Sequence, residues 1–291
     1  MTARQLLGPR VAGLRAWIAA LVLLTVSFAA PLAQLATHAW RHDLHSHILL
    51  IPVVSVYLLW GRRAVPPAPA ERSWLGAAVL VIAGIAAAAI GLAWRGDISH
   101  NDYLALMAFA FVSFVAAGGF FFMGARWMAA AAFPFAFLIF MVPLPDAVVD
   151  ALEKGSTLAS AEAAAMYFGL AGTPLVRHGT IFELPGITLE VAQECSGIRS
   201  SWVLFITSVL AANLFLKSPW RRLALVAFVI PLGILRNGFR VFVIGELCVR
   251  VGPHMIDSII HRQGGPFFFA LSLVPLFLLL WWLRRGENRT L

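Results

Sequence analysis

The chain has 291 residues, 60% of them hydrophobic and 12% charged, with a mean hydropathy of +0.84. A soluble domain carries about 25% charged residues, so the composition excludes an ordinary soluble fold and makes lipid the solvent for most of the chain. The net charge of +8 does not indicate nucleic acid, because the basic residues punctuate hydrophobic runs, and two cysteines are too few for a disulfide framework.

A spanning helix needs about 20 mostly apolar residues. The first candidate runs from Ala16 to Ala36. Arg4, Arg10 and Arg15 precede it as they would a signal peptide, but the apolar run is long for one, so a retained helix is predicted. The second runs from Ile48 to Trp60, extended backwards through His45, Ser46 and His47. The third is Trp74 to Trp94, the fourth Tyr103 to Met123, and the fifth Trp127 to Val142, closed by Pro143-Leu144-Pro145. The sixth is Ser196 to Leu216, the seventh Arg222 to about Val243 with a kink at Pro231, and the eighth Pro266 to Leu283.

Loops rich in Lys and Arg stay on the cytoplasmic side. Arg62, Arg63 and Arg72, then Arg126, then Lys217, Arg221 and Arg222, then Arg284, Arg285 and Arg289 occupy every second connection or the C-terminus. The expectation is an all-α integral membrane protein of about eight transmembrane helices, both termini cytoplasmic, forming one polytopic domain over 1–291. Residues 146–194 form the one sizeable outer-face region. Asp146 to Gly169 reads as a partly apolar surface helix. Alternation on both sides of Pro185-Gly186 reads as a short hairpin that delivers the chain to Glu194-Cys195.

Three places carry polar chemistry. Cys195, in Glu194-Cys195-Ser196-Gly197-Ile198-Arg199, stands at the predicted start of helix six. A thiol there meets unpaired N–H groups and the positive end of the helix dipole, and both favour thiolate. Arg199 follows one turn later. Arg236, Asn237 and Arg240 interrupt an apolar helix, where charge is costly and usually functional or paired. Arg236 and Arg240, at i and i+4, share a face. Eighteen residues from Arg222, at 1.5 Å each, put Arg240 about 27 Å along the helix, near the outer boundary. His261 precedes helix eight, whose start lies on the outer side, and His254 competes with it. Thiol, imidazole and guanidinium suit acyl transfer: the base moves the thiol proton and the guanidinium holds the oxyanion.

The blocks Glu194-Cys195-Ser196-Gly197-Ile198-Arg199-Ser200, Arg236-Asn237-Gly238-Phe239-Arg240 and His261-Arg262-Gln263-Gly264-Gly265 resemble, in order and spacing, the signature blocks of the exosortase/archaeosortase family. The segment at Ser46-His47 and the run Val142-Pro143-Leu144-Pro145 are similar to that family too. The resemblance implies a membrane cysteine transpeptidase of the bacterial or archaeal cytoplasmic membrane, with its site facing outward. Its partners would be exported proteins whose C-terminal sorting signal comprises a short motif, a hydrophobic helix and a basic tail. It implies Cys195, Arg240 and His261 as catalytic residues. Glu194, Ser196, Arg199, Arg236, Asn237 and His47 are expected to contact substrate or to support them, with Glu190 another candidate.

Other classes remain in view. The histidines at 38, 42, 45 and 47 could ligate a metal, but their spacing fits no strong pattern, and neither metal nor cofactor is expected. Arg236 and Arg240 could instead bind an anion in a transporter, although the chain shows no inverted repeats. A Cys195–Cys248 disulfide is a third possibility. The topology is directly testable: alkaline phosphatase fused after Leu291 should be inactive, and fused at residue 146 it should be active, since the enzyme folds only outside. The reverse pattern would invert the chain.

Overall fold

The computed structural model describes residues 3–61, 72–191, 197–258 and 264–289. It is 82% helical, with six helices long and apolar enough to span a membrane, or up to eight if two bent pairs each count as one. The expected all-α, multi-pass membrane architecture is therefore observed. The chain folds as two compact units, Met1–Asp146 and Ala147–Leu291.

In the first unit, α1 (Ala3–Ser27) and α2 (Ala29–Arg41) meet at a 72° bend. The single straight helix expected from Ala16 to Ala36 is corrected here. Pro31, in the first turn of α2, lacks the N–H that would continue the helix, so the chain breaks at Phe28 and restarts. A 3-10 turn (Asp43–Leu49) leads into α3 (Ile51–Gly61). Next, α4 (Trp74–Ala93) and α5 (His100–Met123) form an antiparallel pair. Gly84 and Gly76 of α4 make the pair close: a Cβ there would stand 2.8 Å from the Phe114 ring and 2.9 Å from that of Phe120. Ser99 caps α5, its hydroxyl accepting from the Asp102 N–H at 3.0 Å.

The predicted fifth helix, Trp127–Val142, is also corrected. It is three short pieces: α6 (Ala125–Ala130), α7 (Ala132–Phe137) and a 3-10 turn (Leu138–Met141). Pro134 cannot donate to the preceding turn, which ends α6 and restarts the chain at Ala132. The turn after these pieces is tied to α5. Asn101 Nδ2 donates to the Leu144 carbonyl and to Asp146 Oδ1, both at 2.7 Å, and Asp102 Oδ1 accepts from the Asp146 N–H at 2.8 Å.

The second unit begins with α8 (Asp146–Ala171), followed by β1 (Val176–His178), β2 (Ile181–Leu184) and β3 (Ile187–Glu190). The strands form an antiparallel sheet in the order β1-β2-β3. The hairpin expected at Pro185-Gly186 is β2–β3, with Leu184 opposite Ile187. Pro185 followed by Gly186 at φ +83° matches a tight turn whose second central residue must have positive φ. Strand β1 is an addition to that hairpin. Period-2 alternation turns Phe182, Leu184, Leu189 and Val191 onto Ala161, Ala164 and Phe168 of α8, while Glu183 and Thr188 face outward. Arg177 of β1 donates to Glu162 of α8 at 2.7 Å, a bond that raises the guanidinium pKa above its ordinary value.

Three long helices complete this unit: α9 (Ile198–Phe215), α10 (Pro219–Arg250) and α11 (Gly265–Arg289). They share a core that includes Leu204, Leu225, Leu232 and Leu276. The Glu287 carboxylate of α11 accepts from the N–H groups of Lys217 and Ser218, at 3.0 and 2.6 Å, and so caps the start of α10. At 32 residues, α10 is about 48 Å long and runs unbroken through Pro231 and past the expected end at Val243. Its glycines let other helices approach. A Cβ on Gly238 would lie 2.5 Å from the Ala163 Cβ and 2.9 Å from the Ala164 nitrogen, both on α8. Because one of those atoms is backbone, Gly238→Ala should cost about 1–3 kcal/mol by overpacking. A thermal melt in detergent checks this, and an unchanged midpoint would contradict the close α8–α10 packing.

Candidate functional site

The polar residues of α10 sit where three elements of the second unit meet. Arg236 is 7% exposed and Asn237 is 2% exposed. A buried guanidinium in an apolar helix requires acceptors. Nη2 of Arg236 finds two of them on α9: the Gly197 carbonyl at 3.1 Å and Ser201 Oγ at 3.0 Å. Asn237 reaches the other way, Nδ2 donating to Ser160 Oγ of α8 at 3.0 Å. The next residue, Gly238, is the one that lets α8 approach. Three successive residues thus hold α10 to both neighbours.

Gly197 is the N-cap of α9, with φ +72°. Its conformation and its place both demand glycine. A Cβ would meet Asn237 Oδ1 at 2.9 Å and Arg236 Nη2 at 3.2 Å, and the left-handed region is unfavourable for side-chain-bearing residues. A glycine N-cap brings no side chain of its own to accept from the first-turn N–H groups, and among the described residues no cap side-chain hydrogen bond is made there. The Gly197 carbonyl also accepts from the Ser200 hydroxyl at 3.0 Å.

One turn beyond Arg236, half-buried Arg240 lines a cavity of about 70 Å³. The other walls are Leu189, Glu190 and Val191 of the β3 edge, Asn237, Val241 and Ile244 of α10, and Ile256. A volume of this size admits a few waters or one peptide group. Val191 is fixed, its N–H donating to the Thr180 carbonyl at 3.0 Å and its side chain buried beside Leu189. The chain is therefore anchored at Val191 and again at Gly197, on the two sides of residues 192–196.

Glu194, Cys195 and Ser196 lie outside the described residues, as does His261. Among the candidates that are described, Arg240, Asn237 and Glu190 line this cavity. Arg236 is not part of its wall and holds α9 instead. Arg199 is exposed in the first turn of α9 and is not part of the cavity wall. His254 is exposed on the 3-10 turn Pro253–Asp257, and that turn contributes Ile256 to the wall instead. His47 belongs to the first unit, where it is buried. Cys248 is 2% exposed within α10. Ser160 and Ser201, the partners of Asn237 and Arg236, escape sequence reasoning. Their only signal is a small polar residue in an apolar or alanine-rich helix, which suits a helix–helix interface but names no partner. No group of three or more metal-ligating side chains with suitable geometry occurs among the described residues.

The two arginines separate by role. Arg236→Ala should lower the thermal midpoint markedly, because it removes both charge-assisted bonds that tie α10 to the start of α9, a loss of about 1.5–3 kcal/mol. Arg240→Ala, at the cavity wall, should melt within a few degrees of the parent. Equal destabilisation by both would erase the distinction.

A family model described as transmembrane exosortase matches residues 39–278, more than four-fifths of the chain. No curated protein and no solved structure matches.

Proposed function

The chain belongs to the transmembrane exosortase family of membrane protein-processing enzymes, and from that premise we propose that it cleaves exported proteins near a C-terminal sorting signal and transfers the acyl group through a thioester on Cys195. In this scheme the Cys195 thiolate attacks the scissile carbonyl, and the oxyanion that forms is held by the Arg240 guanidinium. His261 has taken the thiol proton and returns it to the leaving amine as the C–N bond breaks. An acceptor nucleophile then attacks the thioester and releases the thiol. The pattern of basic connections supports the outer membrane face for this chemistry.

The observation that carries the proposal is the double anchoring beside Arg240. Val191 lines the same cavity as Arg240, and Gly197 is held by Arg236, one turn away on the same helix. Cys195 is two peptide units before Gly197, so chain length alone keeps their Cα atoms within about 7 Å. The α9 N-terminus and two arginines make this the kind of electropositive setting that favours a thiolate. On the other side, the cavity wall includes Ile256, five residues before His261 in the chain. Anion transport by Arg236 and Arg240 gains nothing from the geometry, since Arg236 is buried and bonded to α9.

Processing of an epitope-tagged substrate, followed by its mobility shift on a gel, tests the scheme. Cys195→Ala and Cys195→Ser should each abolish it, and undiminished processing by either would sink the nucleophile. Arg240→Ala should lose about 10²–10³-fold in rate. Arg240→Lys should recover little of it, because an ammonium lacks the planar fork of donors. His261→Ala should lose about 10²–10⁴-fold, and a full rate would remove His261 from the base role.

A further inference from the structure

Three helices of the second unit share one end: α9 finishes at Phe215, α10 starts at Pro219 and α11 finishes at Arg289. All three are long and apolar enough to span a membrane. Five cations gather at that end, Lys217, Arg221, Arg222, Arg284 and Arg285. The arginines are held in place by the protein. Arg222 Nε donates to the Leu216 carbonyl at 2.8 Å, and Arg221 Nη1 donates to the Leu283 carbonyl at 3.2 Å. Arg284 sits over the Phe215 ring and Arg285 over that of Trp281, with 5.6 and 5.3 Å from guanidinium carbon to ring centroid.

The charge at this end is unbalanced. The only acidic side chain in 214–222 and 281–291 is that of Glu287. It is buried, and its oxygens accept from the backbone N–H groups of Lys217 and Ser218. Among the described residues, none of the five cations forms an ion pair. Arg221 and Arg222 each give a carbonyl one of five N–H donors, which orients the guanidinium and leaves the other donors for a ligand. Like charges held at one end of three adjoining helices repel one another, and an anion relieves that repulsion. The surroundings select the kind of anion. Trp220, Leu223 and Trp282 are exposed beside the cations. A soluble phosphate would leave this apolar collar in water. A phospholipid covers it with acyl chains while its phosphate meets the cations.

We propose that the shared end of α9, α10 and α11 binds the phosphate headgroup of an anionic glycerophospholipid. Its donors include Arg221, anchored on Leu283, and Arg284, the next residue along α11. The site is independent of the chemistry at Cys195. The probe is phosphatidylglycerol with a fluorophore on one acyl chain, added to delipidated full-length protein in a non-ionic detergent and read by fluorescence polarisation. Binding should saturate. Unlabelled phosphatidylglycerol should compete at least tenfold better than phosphatidylcholine. Raising salt from about 0.1 to about 0.5 M should weaken binding at least threefold. Arg221→Gln combined with Arg284→Gln should weaken it at least fivefold. Lys217→Gln combined with Arg285→Gln, both exposed, should weaken it at least threefold, and this pair carries the test if the first loses its thermal midpoint. Arg126→Gln, exposed and in the first unit, should change nothing. Equal competition by phosphatidylcholine would overturn the proposal. A loss on Arg126→Gln as large as that of the double variants would reduce the effect to overall charge and overturn the site. Inorganic phosphate competing as well as phosphatidylglycerol would assign the surface to a free phosphate instead of a lipid.

Discussion

A guanidinium buried in an apolar helix must find acceptors, and the second unit is arranged around how Arg236 finds them. Its Nη2 bonds the Gly197 carbonyl and the Ser201 hydroxyl, which fixes the first turn of α9 against α10. Asn237 and Gly238 complete the lock on the opposite side, one through Ser160 and the other by having no side chain to keep α8 away. Water would satisfy these groups in a soluble protein, and their bonds would be worth little. In lipid the alternative is an unsatisfied polar group, so the same bonds dictate which helices touch and in what register.

That lock separates two arginines that look alike in sequence. Arg236 is consumed in positioning α9. Arg240, one turn on, lines a cavity with Glu190 and Val191. Positioning and cavity lining are thus divided along one helix face, with the start of α9 and the end of β3 held on either side of residues 192–196. The sheet contributes through its alternation, since its buried face fastens Leu189 and Val191 to the α8 core. Such an architecture places the cationic group of the cavity on a rigid helix.

The first unit follows a different logic. Its α4–α5 pair is closed by glycines meeting phenylalanine rings, and its helices break where Pro31 and Pro134 remove donors. Those breaks keep α1, α2 and α7 from packing as straight rods, and an apolar cavity of about 410 Å³ is left beside them.

Much is legible in the chain itself. Composition and run length determine a multi-pass helical membrane protein, because each span must be apolar by itself, whatever its neighbours. The Pro185-Gly186 hairpin is legible because turn chemistry is local. The cost of charge in lipid marks Arg236, Asn237 and Arg240 before any contact is known. Other features need the tertiary structure. The breaks at Phe28 and Ala131 depend on whether neighbouring helices tolerate a missing hydrogen bond, and periodicity carries no record of that. Ser160 and Ser201 are invisible in the sequence because a serine in an apolar helix matters only when a donor arrives from another element. Only tertiary structure could assign Arg236 to holding α9 and Arg240 to lining a cavity, because the two stand on the same helix face and differ solely in what packs against each.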